Sequence, residues 1–312
     1  MLNVRPYFST DYEKLLPFLQ ELNPTVGAEA WTQILEYKWN NKLEYKGMLF
    51  EYENKIVGFI SYIFSSTKIN GKEITFCNIS SWAVSPEFRS KSLQLLSPLF
   101  KIDNIVITNL SPHKNTLSIF NALRFDLLSE YEYLINPFKL QSFLSSFKAK
   151  QNIICKEITK QNIKSISIDP SVKKLITDHD AYTNVHFYNI LINNKQTITL
   201  AFNQNKLTTS GITNKIKEMP YLLLGKSIKF ELLYCSDLGM FREHISEILL
   251  VLTLKYKTRI INISEHFMNK EELNFNYISK HKKDRPWFFY SENIKKYSDI
   301  NLLYSEKVLL NF

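Results

Sequence analysis

The chain has 312 residues with 39 Lys and Arg against 30 Asp and Glu, a net charge of +9, and it is 45% hydrophobic and 22% charged. Such proportions belong to a globular protein and exclude a disordered chain, and the length predicts two domains at roughly 150 residues each. Gly (7) and Pro (10) are scarce beside 17 Tyr and 22 Phe, which excludes collagen-like and Gly-rich architectures and most nucleotide loops built on several glycines.

Asn3 to Tyr7 is expected as a short strand, after which Ser9-Thr10-Asp11 caps a helix running through Leu22. Trp31, Ile34, Leu35 and Lys38 at helical spacing predict a second helix over Gly27 to Asn40. Lys46 to Tyr52 and Lys55 to Phe64 alternate around Asn54, the signature of a hairpin. Ile69-Asn70-Gly71-Lys72 is a second tight turn leading into a strand over Glu73 to Val84. Pro86 suits the first turn of a helix that extends to about Phe100. Asn104 to Leu110 reads as an apolar strand, Thr116 to Leu123 as a helix, Tyr131 to Ile135 as a strand, and Pro137 to Lys150 as a connector. This order is that of a mixed α/β (α+β) sheet domain.

The chain then repeats itself. At a constant spacing of 153, Phe88-Arg89 recurs as Phe241-Arg242, Leu96 and Leu99 as Leu249 and Leu252, and Asn109, Ser111 and His113 as Asn262, Ser264 and His266. Two copies of one mixed-sheet domain in tandem follow, over 1–140 and 151–312, with 141–150 as linker.

Cys77, Cys155 and Cys235 form no C-x-x-C pair, which points to a reducing compartment. The start, MLNVRPYFSTDYEK, has no apolar signal core, and the longest aliphatic stretch, Ile248 to Leu254, is far below the roughly 20 residues of a membrane helix. A cytoplasmic protein without a membrane partner is expected. Lys residues are spread along the chain and the densest cluster, Lys280 to Lys283, is short. The positive charge therefore reads as a solvated surface, with nucleic acid not an expected partner. Asp178-His179-Asp180 with His186 has metal-like residue types but no supporting second feature, so no metal is expected.

The strand Ile79-Ser80-Ser81-Trp82-Ala83-Val84 followed by Ser85-Pro86-Glu87-Phe88-Arg89, and the segment Asn109-Leu110-Ser111-Pro112-His113 with Asn115 and Ala122-Leu123-Arg124-Phe125, resemble the two central motifs of the GNAT superfamily of acyl-CoA-dependent N-acyltransferases. Val4-Arg5-Pro6 with Asp11 is similar to that family's opening strand and helix cap. The resemblance covers about residues 1–135, and the second copy matches it more weakly. It implies two GNAT-like domains, with acetyl-CoA or another acyl-CoA as co-substrate in the first copy and a small-molecule acceptor. Asp237-Leu238-Gly239-Met240, in place of the Pro motif, implies a degenerate second copy.

A strand running into a helix start presents unpaired N–H groups and a positive dipole end, where a pyrophosphate fits. The backbone of Arg89, Ser90, Lys91, Ser92 and Leu93 is expected there, with the charges of Arg89 and Lys91. In the resembled fold two central strands splay apart, and Val84 N–H, with Ala83 beside it, faces the thioester oxygen. His113 is the expected base, a water chain through Ser80, Ser81 or Asn78 the alternative, and Asn115 resembles a CoA contact. The chain departs from the family pattern at Ser92 and Gln94, where small residues are usual, and at Phe120, which replaces a proton-donating Tyr. The resulting expectation is an N-acyltransferase of a small amine, a nucleotide amino sugar of surface-polysaccharide synthesis by analogy. The alternatives are a catalytically degenerate binding module and an aminoacyl-tRNA-dependent tandem transferase.

Overall fold

The computed structural model describes residues 1–24, 26–39, 41–136, 139, 152–206, 228–256, 258, 260–268, 277–292 and 300–310. The expected connector over 137–150 lies outside these residues except for Lys139. The chain divides into two compact units. Unit 1 comprises Met1–Leu128, Arg285–Asp299 and Tyr304–Leu310, and unit 2 comprises Ser129–Asp284, Ile300–Leu303 and Asn311–Phe312.

Unit 1 opens with β1 (Asn3–Pro6), α1 (Tyr12–Leu22) and α2 (Ala28–Leu35). The second helix is shorter than its periodicity predicts, because Trp39 past its end is buried and donates its indole N–H to Phe64 O at 2.8 Å. Arg5 holds the entry to α1, with two hydrogen bonds to Asp11 at 2.8 and 2.9 Å and a third to Glu51 at 2.8 Å. The Arg5 guanidinium keeps the Asp11 carboxyl below its usual range, assisted by the Phe8 amide.

The strands β2 (Gly47–Tyr52), β3 (Lys55–Ile69), β4 (Lys72–Val84) and β5 (Ile105–Asn109) follow. Glu53 and Asn54, with φ of 49° and 61°, make the first hairpin turn, and Asn70 and Gly71, at 51° and 78°, the second. Both are the left-handed pairs that match strand twist. In unit 1 the order is β1-β2-β3-β4-β5-β12, where β12 is Ile278–Ser291 and contributes its residues from Arg285 onward. The β4–β5 pair is parallel and the other pairs are antiparallel.

Period-two residues Phe50, Ile60, Tyr62, Phe64, Cys77, Ile79 and Ile107 form the core face of this sheet. Leu95, Leu96 and Leu99 pack on that face from the segment after β4, as does Phe120 of α3 (Leu117–Ala122). The segment after β4 is helical as its Pro86 predicts, but it is a 3-10 run over Pro86–Leu95 followed by another over Ser97–Lys101. Tyr62 Oη donates to Leu95 O, holding the tighter backbone against the sheet.

Unit 2 contains β6 (Asp126–Ile135, from Ser129 onward), β7 (Ile153–Ile158), α4 (Pro170–Asp178), β8 (Val185–Ile192), β9 (Gln196–Lys206) and β10 (Ile228–Cys235). These are followed by α5 (Leu238–Glu243), α6 (Ile245–Tyr256) and β11 (Ile260–Ser264). Its order, β7-β8-β9-β10-β11-β6, also has one parallel pair, β10–β11, in a sheet otherwise antiparallel.

The boundary expected at residue 140 is thus displaced. Residues Glu132–Ile135 pair with β11, and unit 1 draws its last strand from Phe288–Ser291, which pairs with Val106–Asn109 of β5. The physical reason is burial. Phe288 stacks on Phe120 with ring centroids 5.5 Å apart and is 5% exposed. Phe288→Ala is therefore expected to destabilise the protein by about 3–5 kcal/mol in chemical denaturation. A loss below about 1 kcal/mol would contradict this assignment of the strand.

Candidate functional site

The β4–β5 ladder covers only Thr75–Asn78 against Ile105–Thr108. Beyond it β5 ends at Asn109, while β4 runs on to Val84. Two asparagines close the fork. Asn78 Nδ2 donates to Thr108 O at 3.3 Å and to its Oγ1 at 3.2 Å, and Asn109 Nδ2 donates to Ile79 O at 3.3 Å. Side-chain amides thus bond the strands where the main-chain ladder stops.

Past the fork β4 bulges. Phe59 pairs with Ala83 but Ser61 pairs with Ser80, so Ser81 and Trp82 together oppose Ile60. Ser81 takes φ of 52°, a left-handed conformation unusual for a non-glycine residue. Its Oγ is 3.4 Å from Ser80 Oγ. Ser85 N–H donates to Val57 O at 2.8 Å, so the adjacent Val84–Gly58 pair is a non-hydrogen-bonded one. Val84 N–H therefore points away from β3, toward the side that β5 has left. The Trp82 indole N–H is buried beside the bulge and has no partner among the described residues.

The remaining expected residues fall into two groups. Arg89, Ser90, Lys91 and Leu93 are exposed on the 3-10 run, Ser92 and Ala83 are half-buried, and Val84 is buried. Among the described residues Arg89 and Lys91 enter no ion pair, so their charges stay available to an anion. Gln94, which stands where a small residue is usual in the resembled family, is exposed. In a 3-10 run, however, amides past the first turn donate to the carbonyl three residues back, so this start offers fewer aligned N–H groups than an α-helix.

His113 and Asn115 are exposed and meet each other, with Asn115 N donating to His113 Nδ1 at 3.3 Å. His113 is thus the cap of a 3-10 turn over Lys114–Thr116. Phe120 is a core residue, fully buried.

One residue without a sequence signal sits at the fork. Glu306 begins α7 (Glu306–Leu309) and is 1% exposed. Its N–H donates to Asn78 Oδ1 at 3.2 Å, and Ser111 Oγ donates to its Oε1 at 2.8 Å. Its Oε2 is buried without a partner among the described residues. Burial pushes the carboxyl up to about 7, against the opposing effects of the Ser111 bond, backbone amides and Lys307. Only an acidic residue inside the apolar stretch Leu302–Leu310 marks it in the sequence.

In unit 2, Asp237 caps α5 by accepting from Met240 N at 2.9 Å, which sets a carboxylate at the turn after β10. Such a charge opposes a diphosphate there. A cavity of about 470 Å³ is lined by Ile158, Lys160, His179, Asp180, His186 and Phe187. His186 is bonded to Glu157 at 2.7 Å, Asp180 to Lys160 at 2.6 Å, and both nitrogens of His179 lie against backbone carbonyls of Leu175 and Leu303. Among the described residues no cluster of three His, Cys, Asp or Glu could hold a metal, and no helix is long and apolar enough to cross a membrane.

No protein-family model and no curated protein matches the chain. Solved structures do match it. A GCN5-related N-acetyltransferase from Anabaena variabilis aligns with a TM-score of 0.56 at 10% identity, over 93% of this chain and 72% of that one. A conserved protein of unknown function from Enterococcus faecalis, described as a probable N-acyltransferase, aligns with a TM-score of 0.57 at 9% identity, over 93% and 73%. A GCN5-related N-acetyltransferase from Kribbella flavida gives 0.52 at 10% identity, over 93% and 72%. The chain has the mixed α/β fold of the GNAT acyltransferases, as its two central motifs imply.

The buried carboxyl has a consequence for stability. Its folded value of about 7 lies above the 4.5 of a free glutamate, so the folded state loses stability as pH rises from 4.5 through 7. Glu306→Gln removes that loss. At pH 8 the variant is expected to gain about 3 kcal/mol in denaturant unfolding, with the gain vanishing near pH 4. An equal gain at both pH values would contradict a buried, titrating carboxyl.

Proposed function

We propose that the protein is an acyl-CoA-dependent N-acyltransferase whose co-substrate, acetyl-CoA or another acyl-CoA, lies along β4 in unit 1. The observation that carries this reading is the fork, with its bulge at Ser81 and Val84 N–H turned toward the open side. An extended thioester arm can pair with a strand edge left free in this way. The same N–H then meets the oxygen that gains charge as the acyl group is attacked. Arg89 and Lys91 supply the positive charge for the diphosphate, and the buried Trp82 N–H, without a partner among the described residues, offers a further donor. Bound, the acyl-CoA supplies an activated thioester. The chain's own groups orient it and stabilise the developing negative charge.

The acceptor is read as the amine of a small molecule, a nucleotide amino sugar by analogy alone. The identical strand order and direction in the two units, with Phe88-Arg89 and Phe241-Arg242 each following the strand before the parallel crossover, supports two copies of one domain. Asp237 supports a single acyl-CoA site, in the first copy. A second reading, a binding module without turnover, is favoured by Phe120 at the position of a proton donor and by the 3-10 geometry after Pro86. Acetylation of any amine would dismiss it.

Isothermal titration with acetyl-CoA is expected to show binding, weakened about 3- to 10-fold by Lys91→Ala or Arg89→Ala. No heat at millimolar acetyl-CoA removes the reading. Unchanged affinity in both variants removes the placement of the diphosphate.

A further inference from the structure

We propose that Glu306 is the proton acceptor of this site, taking the proton of the attacking amine; the inference rests on the acyltransfer reading above. Glu306 stands in the notch where β4 and β5 part, its N–H bonded to Asn78, the last residue of β4 paired with β5, and its carboxyl to Ser111, two residues past β5. Any amine that reaches an acyl group held along the free edge of β4 approaches from the side that β5 has vacated. Glu306 is the acidic side chain placed there by hydrogen bonds to both flanks of the fork.

Its two oxygens have different surroundings. Oε1 is held by Ser111, which fixes the carboxyl's orientation, whereas Oε2 is buried with no donor among the described residues. Leaving a buried carboxylate oxygen unbonded costs about 1–3 kcal/mol, so such a group needs a reason to persist. An ammonium or amine N–H is a donor of the right kind. The flanks are neutral, Asn78 of β4 on one side and Ser111 past the end of β5 on the other. Lys307, on the same helix, is the charge that acts on the carboxyl, and it also lies over the Trp287 ring at 4.7 Å. Burial outweighs the Ser111 bond, the backbone amides and Lys307 and brings Glu306 to about 7, where a carboxylate is both present and basic enough to accept a proton.

The step balances without an outside reagent. The amine nitrogen bonds to the acyl carbon, the carbon–sulfur bond breaks, and its electron pair leaves on sulfur. The nitrogen's proton passes to Glu306 and from there to the thiolate. A single carboxyl thus fills both roles, which accounts for a site with Phe120 where a Tyr acid is usual. His113, exposed and engaged as a cap, is not needed.

The test is calorimetry with acetyl-CoA across pH 6 to 8 in buffers of different ionisation enthalpy, which reads the protons taken up on binding. Glu306 is already buried, so its proton affinity rises on binding through the negative charge of the acetyl-CoA phosphates, and wild type is expected to take up protons most strongly near pH 7. Glu306→Gln is expected to bind acetyl-CoA but to lose that uptake. Ser111→Ala removes a bond that favours the charged form, and should shift the uptake upward by about one pH unit. Any primary amine acetylated by wild type should react about 100- to 10,000-fold more slowly with Glu306→Gln at unchanged KM for acetyl-CoA. Equal uptake in wild type and Glu306→Gln, or equal rates, overturns the role of Glu306 while acyl-CoA binding stands. Absence of any acetyl-CoA heat removes the underlying reading instead. Should Glu306→Gln fail to fold, the Ser111→Ala shift decides, and an unmoved profile overturns the proposal.

Discussion

The geometry of unit 1 depends on a parallel ladder that stops early. Once β4 and β5 part after Asn78 and Thr108, their facing backbone groups lose each other as partners and must find new ones. The chain meets this demand with side chains at the fork itself, Asn78 on one strand and Asn109 on the other. Farther along β4 it leaves Val84 N–H facing outward. The bulge at Ser81 is part of the same constraint, since an extra residue increases local twist and turns the end of β4 away from its neighbour. A left-handed serine costs about a kilocalorie per mole and persists where surrounding pairing over-determines it. Here β3 supplies that pairing on both sides of the bulge.

Around this fork the rest of unit 1 acts as support. Strands β2 to β4 are buried over most of their length, and Tyr62 fastens the 3-10 run that carries Arg89 and Lys91. The aromatic group of Phe120, Phe125, Phe288 and Tyr290 fixes the far side of β5. On the acyltransfer reading proposed above, a rigid frame with an interrupted ladder suits a reaction in which positioning and a fixed N–H contribute much of the rate.

The two units share strand order and differ at the turn that matters for an anion. Unit 1 enters its helical segment through Ser85-Pro86 with Arg89 and Lys91 nearby, which enter no ion pair among the described residues, whereas unit 2 caps its helix with the carboxylate of Asp237. One unit thus leaves positive charge at this turn and the other fills it with its own negative charge.

Local chemistry made much of this legible from sequence. Asn54 and Asn70-Gly71 fix turns through left-handed backbone, Pro86 opens a helical turn, Asp11 marks the entry to α1 through its bonds to Arg5 and the Phe8 N–H, and alternating apolar residues define the buried strand faces, because each signal acts within a few residues. Three things lay outside that range. The 3-10 form of Pro86–Leu95 depends on how Leu95, Leu96 and Leu99 reach the sheet, not on the segment's own propensities. The strand completing unit 1 comes from 285–291, a pairing that nothing in residues 1–140 encodes. Glu306 becomes a buried, basic carboxyl only when it is carried to Asn78 and Ser111, residues 228 and 195 positions away, since desolvation is a property of the folded surroundings. His113 shows the converse: a residue type suited to proton transfer, which the tertiary structure left in water as a cap.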